Sequence, residues 1–132
     1  MEESIVDEEE ASWLEKNKSL GDWGEQIALN YLRSFYGIDN VSDVAARAYL
    51  GFDIEVVKEE TIYGFEIKTA KDNIGFHLSL NELKVANDKL DNYNIFFLKI
   101  DVATNKVSGY ILNNPVELLD LDILKKYKII IG

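Results

Sequence analysis

Apolar residues near the start of the chain recur at the spacing of a helix. Ser19 followed by Asp22 is typical of a capping box, and Gly37 is typical of a residue that ends a helix. The small and apolar residues that share one side of this segment are Leu20, Gly24, Ile27, Ala28, Tyr31, Leu32 and Phe35. This stripe predicts an amphipathic helix over residues 20–35.

Further along the chain, alternation of apolar and polar residues predicts strands. Ser79 and Glu82 form a second capping-box pattern, and this is the only role that we assign to Glu82 from the sequence. The elements predicted after the first helix are a short strand at 41–48, a hairpin of strands 52–57 and 62–69, a helix near 80–90, strands at 93–102 and 107–112, a helix at 116–126 and an edge strand at 128–131. This order predicts an α/β (α+β) fold in which a mixed sheet is flanked by helices.

The register of the hairpin follows from its apolar residues. Both strands must direct their apolar faces to one core, and Phe52 is expected to share that face with the apolar residues of its strand. This condition pairs Ile54 with Phe65 and Val56 with Tyr63.

The same register places Asp53 opposite Glu66 on the polar face of the hairpin. Like charges at this spacing destabilise a sheet unless a cation neutralises them, and Mg²⁺ is a cation that binds carboxylates. Lys68 shares the face and can stabilise charge that develops on a phosphate. Gly51 and Gly64 are expected to leave space there for a ligand. The alternative is a half-exposed hairpin with a charged outer face and no metal.

The charge of the chain is concentrated at its start. The 132 residues include 24 acidic and 14 basic side chains, a net charge of −10, and seven of the acidic residues but no basic ones lie within the first 15. We therefore predict an acidic tail or linker at 1–18 and one folded domain at 19–132.

Composition also limits the chemistry. The absence of cysteine and the single histidine, His77, exclude a cysteine zinc site and a histidine metal cluster, so that a metal would be bound by oxygen atoms. The acidic start is unlike a signal peptide, and no apolar run is long enough to span a membrane. We therefore expect an intracellular, cytoplasmic protein that does not associate with membranes.

The hairpin sequence resembles the motif of a nuclease superfamily. Residues 51–54 (GFDI) followed by 65–69 (FEIKT) are similar to the PD-(D/E)XK motif, with Phe52 in place of its proline. The order of predicted elements agrees with the αβββαβ core of restriction-endonuclease-like domains. Beyond the lysine, residues 76–83 and 93–97 resemble the C-terminal domain of NO VEIN-type proteins.

The resemblance implies a Mg²⁺- or Mn²⁺-dependent nuclease that hydrolyses phosphodiester bonds in restriction, defence or repair. Asp53 and Glu66 would bind the metal and Lys68 would assist catalysis. Glu25 of the first helix would be a further catalytic and metal-binding residue, its alternative being an exposed helix glutamate. The implied partner is nucleic acid, with DNA preferred over RNA. A helicase or another protein is implied as a further partner. The sequence leaves a homodimer open.

Two functions from other classes stay open. One is a non-catalytic module that binds nucleic acid or a protein on the same scaffold. The other is an inhibitor or regulator whose carboxylates mimic DNA. The negative net charge favours the non-catalytic module over a nuclease, whereas the intact Asp53, Glu66 and Lys68 favour catalysis.

Overall fold

A six-stranded mixed sheet lies between helices in the computed structural model of the chain, which describes residues 3–6, 20–71, 76–101, 103–104, 106–118 and 130–131. The helices are α1 (Leu20–Tyr36), α2 (Leu80–Lys89) and α3 (Pro115–Leu118). The strands are β1 (Glu3–Val6), β2 (Val41–Asp43), β3 (Ile54–Lys58), β4 (Thr61–Lys71), β5 (His77–Leu78), β6 (Tyr93–Asp101), β7 (Lys106–Asn113) and β8 (Ile130–Ile131).

The main sheet has the strand order β1-β7-β6-β4-β3-β2. Among the described strands of this sheet, β4 and β6 are the one parallel pair, and the other neighbours are antiparallel. A parallel pair requires a crossover, which the chain makes through β5 and α2. The order α1-β2-β3-β4-α2-β6 therefore has the αβββαβ core of a restriction-endonuclease-like sheet, and the predicted fold class is confirmed.

The predicted helix boundaries agree closely with the structure. At the end of α1, Gly37 adopts a positive φ of 94° and its N–H donates to Arg33 O at 2.9 Å. At the start of α2, the Ser79 side chain accepts from the Glu82 N–H and the Glu82 side chain accepts from the Ser79 N–H, so that the predicted capping box is confirmed. Ser19 lies outside the described residues. Among those residues no helix is long and apolar enough to cross a bilayer.

One end of the chain differs from the sequence prediction. Residues 3–6, which the sequence places in an acidic tail or linker, form β1 and pair with β7. At the other end, residues 130–131 form a strand within the predicted edge strand, and it pairs with β5 in a separate two-stranded sheet. The predicted helix at 116–126 is described only at its start, as α3, because 119–129 lie outside the described residues.

The hairpin register is confirmed, with Ile54 opposite Phe65 and Val56 opposite Tyr63. Phe52, however, lies on the other face of the sheet from Ile54, so that its predicted place was wrong. A turn at 48–50 and the left-handed φ of Gly51 (75°) redirect the chain, and regular alternation begins only with β3.

Each face of the sheet carries its own apolar core. The core under α1 is formed by Trp23, Ile27, Ala28, Leu29, Leu32, Val41, Ile54, Val56, Phe65, Ile67, Phe96, Leu98, Ile100 and Val107. The core on the α2 face is formed by Val44, Phe52, Ala70, Phe76, Leu78, Ala86, Tyr93, Ile95, Phe97 and Leu112. The buried residues of β6 alternate between the two cores, as the two-residue period of a strand requires.

Candidate active site

Successive residues of β4 serve opposite faces of the sheet. Phe65 and Ile67 belong to the core under α1, whereas Glu66 and Lys68 lie on the face covered by α2. Glu66 is only 6% exposed. The alternative of a half-exposed hairpin with a charged outer face is therefore wrong at this position, because α2 covers the charged residues.

A cavity of about 310 Å³ opens where β3 and β4 meet the N-terminus of α2. Three carboxylate side chains line it, from Asp53, Glu66 and Glu82. The other lining residues are Ala45, Ala48, Gly51, Phe52, Ser79 and Asn81. Asp53 and Glu66 therefore share one cavity, as the hairpin register predicts.

Backbone hydrogen bonds fix Asp53 immediately before β3. Its N–H donates to Phe65 O at 2.9 Å, and its Oδ2 accepts from the Ile67 N–H at 2.9 Å. The preceding turn is bound by Tyr93 of β6, whose buried hydroxyl donates a hydrogen bond to Gly51 O at 2.8 Å. The Asp53 carboxylate is thus attached to both strands and directed at the cavity.

Lys68 lies between two glutamates. Its Nζ is 3.3 Å from Glu66 Oε2 and 2.8 Å from Glu82 Oε1, and its side chain is 15% exposed. Glu82 Oε1 also accepts from the Ser79 N–H at 2.9 Å. The lysine is therefore bound both to its own strand and to the first turn of α2.

Burial and repulsion disfavour the charged form of Glu66. Burial is the main cause, followed by the charge of Asp53, and together they raise the pKa of Glu66 to about 10. Lys68 opposes this shift but does not offset it, although its Nζ is close. Burial therefore favours the protonated form of Glu66 at neutral pH in the metal-free protein, whereas hydrogen bonding with Glu66 favours the charged forms of Asp53 and Glu82.

The pKa values of the other two carboxylates of the cavity are shifted in opposite directions. Burial raises the pKa of Asp53, and the Ile67 N–H only partly counters this. Burial also disfavours the charged form of Glu82, but hydrogen bonds from Glu66, Lys68 and the Ser79 N–H outweigh it and lower the pKa of Glu82. Glu82 is therefore the carboxylate that carries the negative charge beside Lys68 in the metal-free protein.

Glu25 lies in a neighbouring cleft and does not line the cavity of Asp53. That cleft, of about 400 Å³, also contains Asp22 and Asp43 and shares Ala45 with the first cavity. Burial, followed by the charges of Asp53 and Asp43, raises the pKa of Glu25 to about 7. Glu25 is thus close enough to interact electrostatically with Asp53, and its role as a metal ligand stays a prediction.

The donor set of the cavity suits a hard divalent cation. Asp53 and Glu66 present carboxylate oxygens, and the pKa of each is raised in the metal-free protein. A cation bound between them would lower both pKa values, because it favours the charged form of each carboxylate. Across the described ranges, no three histidine, cysteine or acidic side chains are arranged to hold a metal ion together. Mg²⁺ and Mn²⁺ fit a site of this kind, since Mg²⁺ binds through one or two carboxylates and completes its shell with water and phosphate.

The two glycines beside the site do not leave open space. A Cβ atom at Gly64 would lie 2.8 Å from the ring of Phe52, and one at Gly51 would lie 2.6 Å from Val85. The expectation that they make room for a ligand was therefore wrong. They allow close packing of Phe52 and of α2, and the cavity is bounded by carboxylates.

Sequence reasoning missed the contribution of Glu82 to the site. The capping box is a complete local explanation for this residue, and nothing near it in sequence indicates that it also contacts Lys68. Only the packing of α2 against β4 reveals the contact. His77, the single histidine of the chain, is exposed on β5 and is absent from the cavity lining.

Comparison with known proteins places the chain in a family. Residues 24–111 match the family model described as Protein NO VEIN, C-terminal, and this is more than half of the chain. The match extends from α1 to β7 and includes Glu25, Asp53, Glu66, Lys68 and Glu82. No curated protein and no solved structure matched the chain. The chain therefore belongs to the NO VEIN C-terminal family.

Proposed function

We propose that this domain is a metal-dependent nuclease that hydrolyses phosphodiester bonds, with DNA as its preferred substrate. One observation carries the proposal: the carboxylates of Asp53 and Glu66 line one cavity, with Lys68 Nζ 3.3 Å from Glu66. The resemblance of the hairpin sequence to the PD-(D/E)XK motif supports it, because the motif uses these residue types.

Each residue has a role that follows from its position. Asp53 and Glu66 would hold Mg²⁺ or Mn²⁺, and Glu25, from the neighbouring cleft, would contact the cation through a water molecule. When bound, the cation supplies charge neutralisation at the phosphate and a lower pKa for water. Lys68 donates hydrogen bonds toward the phosphate or the attacking water, and its positive charge favours the negative charge that develops in the transition state.

The net charge of −10 places a condition on substrate binding. Affinity for nucleic acid depends on phosphate neutralisation by basic residues, and this chain has fewer basic than acidic residues. The domain would therefore depend on its bound cation, or on a helicase or other partner protein in the same restriction, defence or repair system, to hold the substrate.

A cleavage assay tests this function, with single- and double-stranded DNA and RNA as substrates at low ionic strength and with excess protein. We expect wild-type protein to cut in Mg²⁺ or Mn²⁺ and to stop when the metal is chelated. Lys68→Ala should lose most of the cleavage, by about 100-fold or more, because it removes a charge that stabilises the transition state.

Metal binding supplies the control for this assay. Calorimetry should detect Mn²⁺ binding to Lys68→Ala, because Lys68 is not a ligand. Lys68→Arg should not restore full activity, since a planar guanidinium places its donors differently from an ammonium. Absence of cleavage under all these conditions, also after fusion to a basic DNA-binding domain, would contradict the proposal.

The acidic charge favours one alternative, a non-catalytic module that binds nucleic acid or a protein through the same scaffold. In that case Asp53, Glu66 and Lys68 would form a buried structural cluster. Electrophoretic mobility shifts with the same substrates distinguish a nuclease from a nucleic-acid-binding module, because the module would bind without cutting, whether or not metal is present. A protein-binding module would neither shift nor cut these substrates.

A further inference from the structure

Glu82 takes part in two separate hydrogen-bond systems. Its Oε1 accepts from Lys68 Nζ at 2.8 Å and from the Ser79 N–H at 2.9 Å, while its own N–H donates to Ser79 Oγ at 3.0 Å. A capping box alone requires only the two bonds with Ser79. The contact with Lys68 is therefore an additional feature, and it crosses 14 residues of sequence.

Lys68 has a closer partner in Glu82 than in Glu66. The distances are 2.8 and 3.3 Å, and all three side chains are largely shielded from water, with 7–18% of each exposed. A carboxylate that binds a divalent cation donates electron density to that cation, so its hydrogen bond with a lysine is weaker. Glu82 can keep its bond to Lys68 independently of what Glu66 binds.

The helix end makes Glu82 a rigid support. Charge-assisted hydrogen bonds of this length are stronger than neutral ones, and the first turn of α2 fixes the backbone of Glu82. The side chain of Lys68 alone has four rotatable bonds and would sample many positions. Attachment to α2 restricts it to the side of the cavity that Asp53 and Glu66 share.

We propose that Glu82 is a positioning residue, which holds the Lys68 ammonium beside the Asp53–Glu66 cavity and couples it to the N-terminus of α2. Its consequence for catalysis rests on the proposed nuclease function, whereas its effect on the position of Lys68 does not. The competing explanation is that Glu82 only caps the helix.

Two variants separate these explanations. Glu82→Gln keeps a capping box, because glutamine also serves at this position, but it removes the charge that faces Lys68. Ser79→Ala removes the serine cap and leaves the Lys68–Glu82 pair in place. If Glu82 acts only as a cap, Ser79→Ala should have the larger effect on every property. If it positions Lys68, the two variants should affect different properties.

The first measurement is the ¹⁵N-edited NMR signal of the Lys68 ammonium in the 132-residue chain without metal, with thermal melts in parallel. The signal is assigned by its loss in Lys68→Ala. We expect it to persist in Ser79→Ala, which should melt at a lower temperature. In Glu82→Gln we expect the signal to be lost through faster exchange with water, whatever the change in melting temperature that follows from loss of the ion pair.

The second measurement is cleavage in Mg²⁺. We expect Glu82→Gln to lower kcat by about ten- to hundredfold, with little change in KM, because a charged hydrogen bond to the catalytic lysine is lost. Wild-type kcat in Glu82→Gln, an unchanged Lys68 signal in that variant, or equal loss of the signal in Ser79→Ala would each overturn the proposal. If wild-type protein cuts nothing, the nuclease function fails, while the NMR result still decides whether Glu82 holds Lys68.

Discussion

The two faces of β4 carry neighbouring residues with opposite properties. On the α1 face, the side chains of Phe65 and Ile67 pack in an apolar core that is formed largely by α1 and the neighbouring strands. On the α2 face, Glu66 and Lys68 lie in the same strand at nearly the same depth, but around a cavity lined by carboxylates. The backbone environment is shared, so the difference comes from side chains and from the helix above them.

This contrast separates the source of stability from the source of chemistry. Burial of apolar surface under α1 stabilises the sheet, in proportion to the area removed from water. Burial of Glu66 opposes folding, because its charged form is disfavoured in the cavity. We infer that the apolar face allows the strand to carry an unfavourable carboxylate on the other face.

The largest expected effect compares neighbouring residues on the two faces. Phe65→Ala should lower the free energy of unfolding by about 3–5 kcal/mol, because it leaves a cavity in the core under α1. Glu66→Gln should leave metal-free protein as stable as wild type or more stable, since the amide replaces a protonated carboxyl. Urea unfolding followed by circular dichroism, with chelator present, measures both. Equal losses in the two variants would contradict the distinction between the faces.

The second expected effect is a pH dependence of the metal-free protein. Folding raises the pKa of Glu66 from 4.5 to about 10, so the folded state retains a proton that the unfolded chain releases. This contribution to stability is fully present below about pH 4.5 and is lost as pH rises toward 10, with a slope of at most about 1.4 kcal/mol per pH unit for one proton. Asp53 and Glu25, whose pKa values are also raised, act in the same direction.

Urea unfolding at several pH values between about 6 and 9 in chelator tests this dependence. Glu66→Gln should flatten the decline, because it removes the titrating group. Glu117→Gln, which replaces an exposed carboxylate away from the cavity, is the matched control and should leave the decline as it is. A decline that is equally steep in Glu66→Gln would show that Glu66 is not its source.

The smallest expected effect concerns Asp53 and depends on one hydrogen bond. Asp53→Asn can still accept from the Ile67 N–H and removes a charge beside Glu66, so metal-free stability should be unchanged or slightly higher. Asp53→Ala leaves that N–H without its acceptor and should cost about 1–3 kcal/mol. Thermal melts with and without Mg²⁺ decide this. Mg²⁺ should raise the melting temperature of wild type and not of Asp53→Asn.

Local patterns were sufficient for the elements and for the hairpin. The spacing of apolar residues and the capping signals predicted α1 and α2 to within about a residue, because helix ends depend on nearby groups. The pairing of Ile54 with Phe65 was predicted because a one-residue slip would reverse every side chain between core and solvent. Asp53, Glu66 and Lys68 followed from that register.

Two predictions failed where local alternation met a turn or an end of the chain. Phe52 lies on the α2 face because the turn before β3 rotates the chain by an amount that side-chain pattern does not encode. Residues 3–6 look like part of a charged tail, yet they pair with β7. A strand at a sheet edge depends on a partner about 100 residues away in sequence, and composition carries little information about such a partner.

Glu82 marks the boundary between the two kinds of information. Its place in the first turn of α2 follows from Ser79, three residues earlier, and the sequence alone predicts it. Its contact with Lys68 exists only because the crossover from β4 to β6 lays α2 over the polar face of the hairpin. Short-range hydrogen bonds and hydrophobic periodicity depend on residues that are near one another in sequence, so the sequence alone predicts them. Contacts between side chains that are distant in sequence depend on how whole helices and strands pack. Here the two apolar cores together determine that packing.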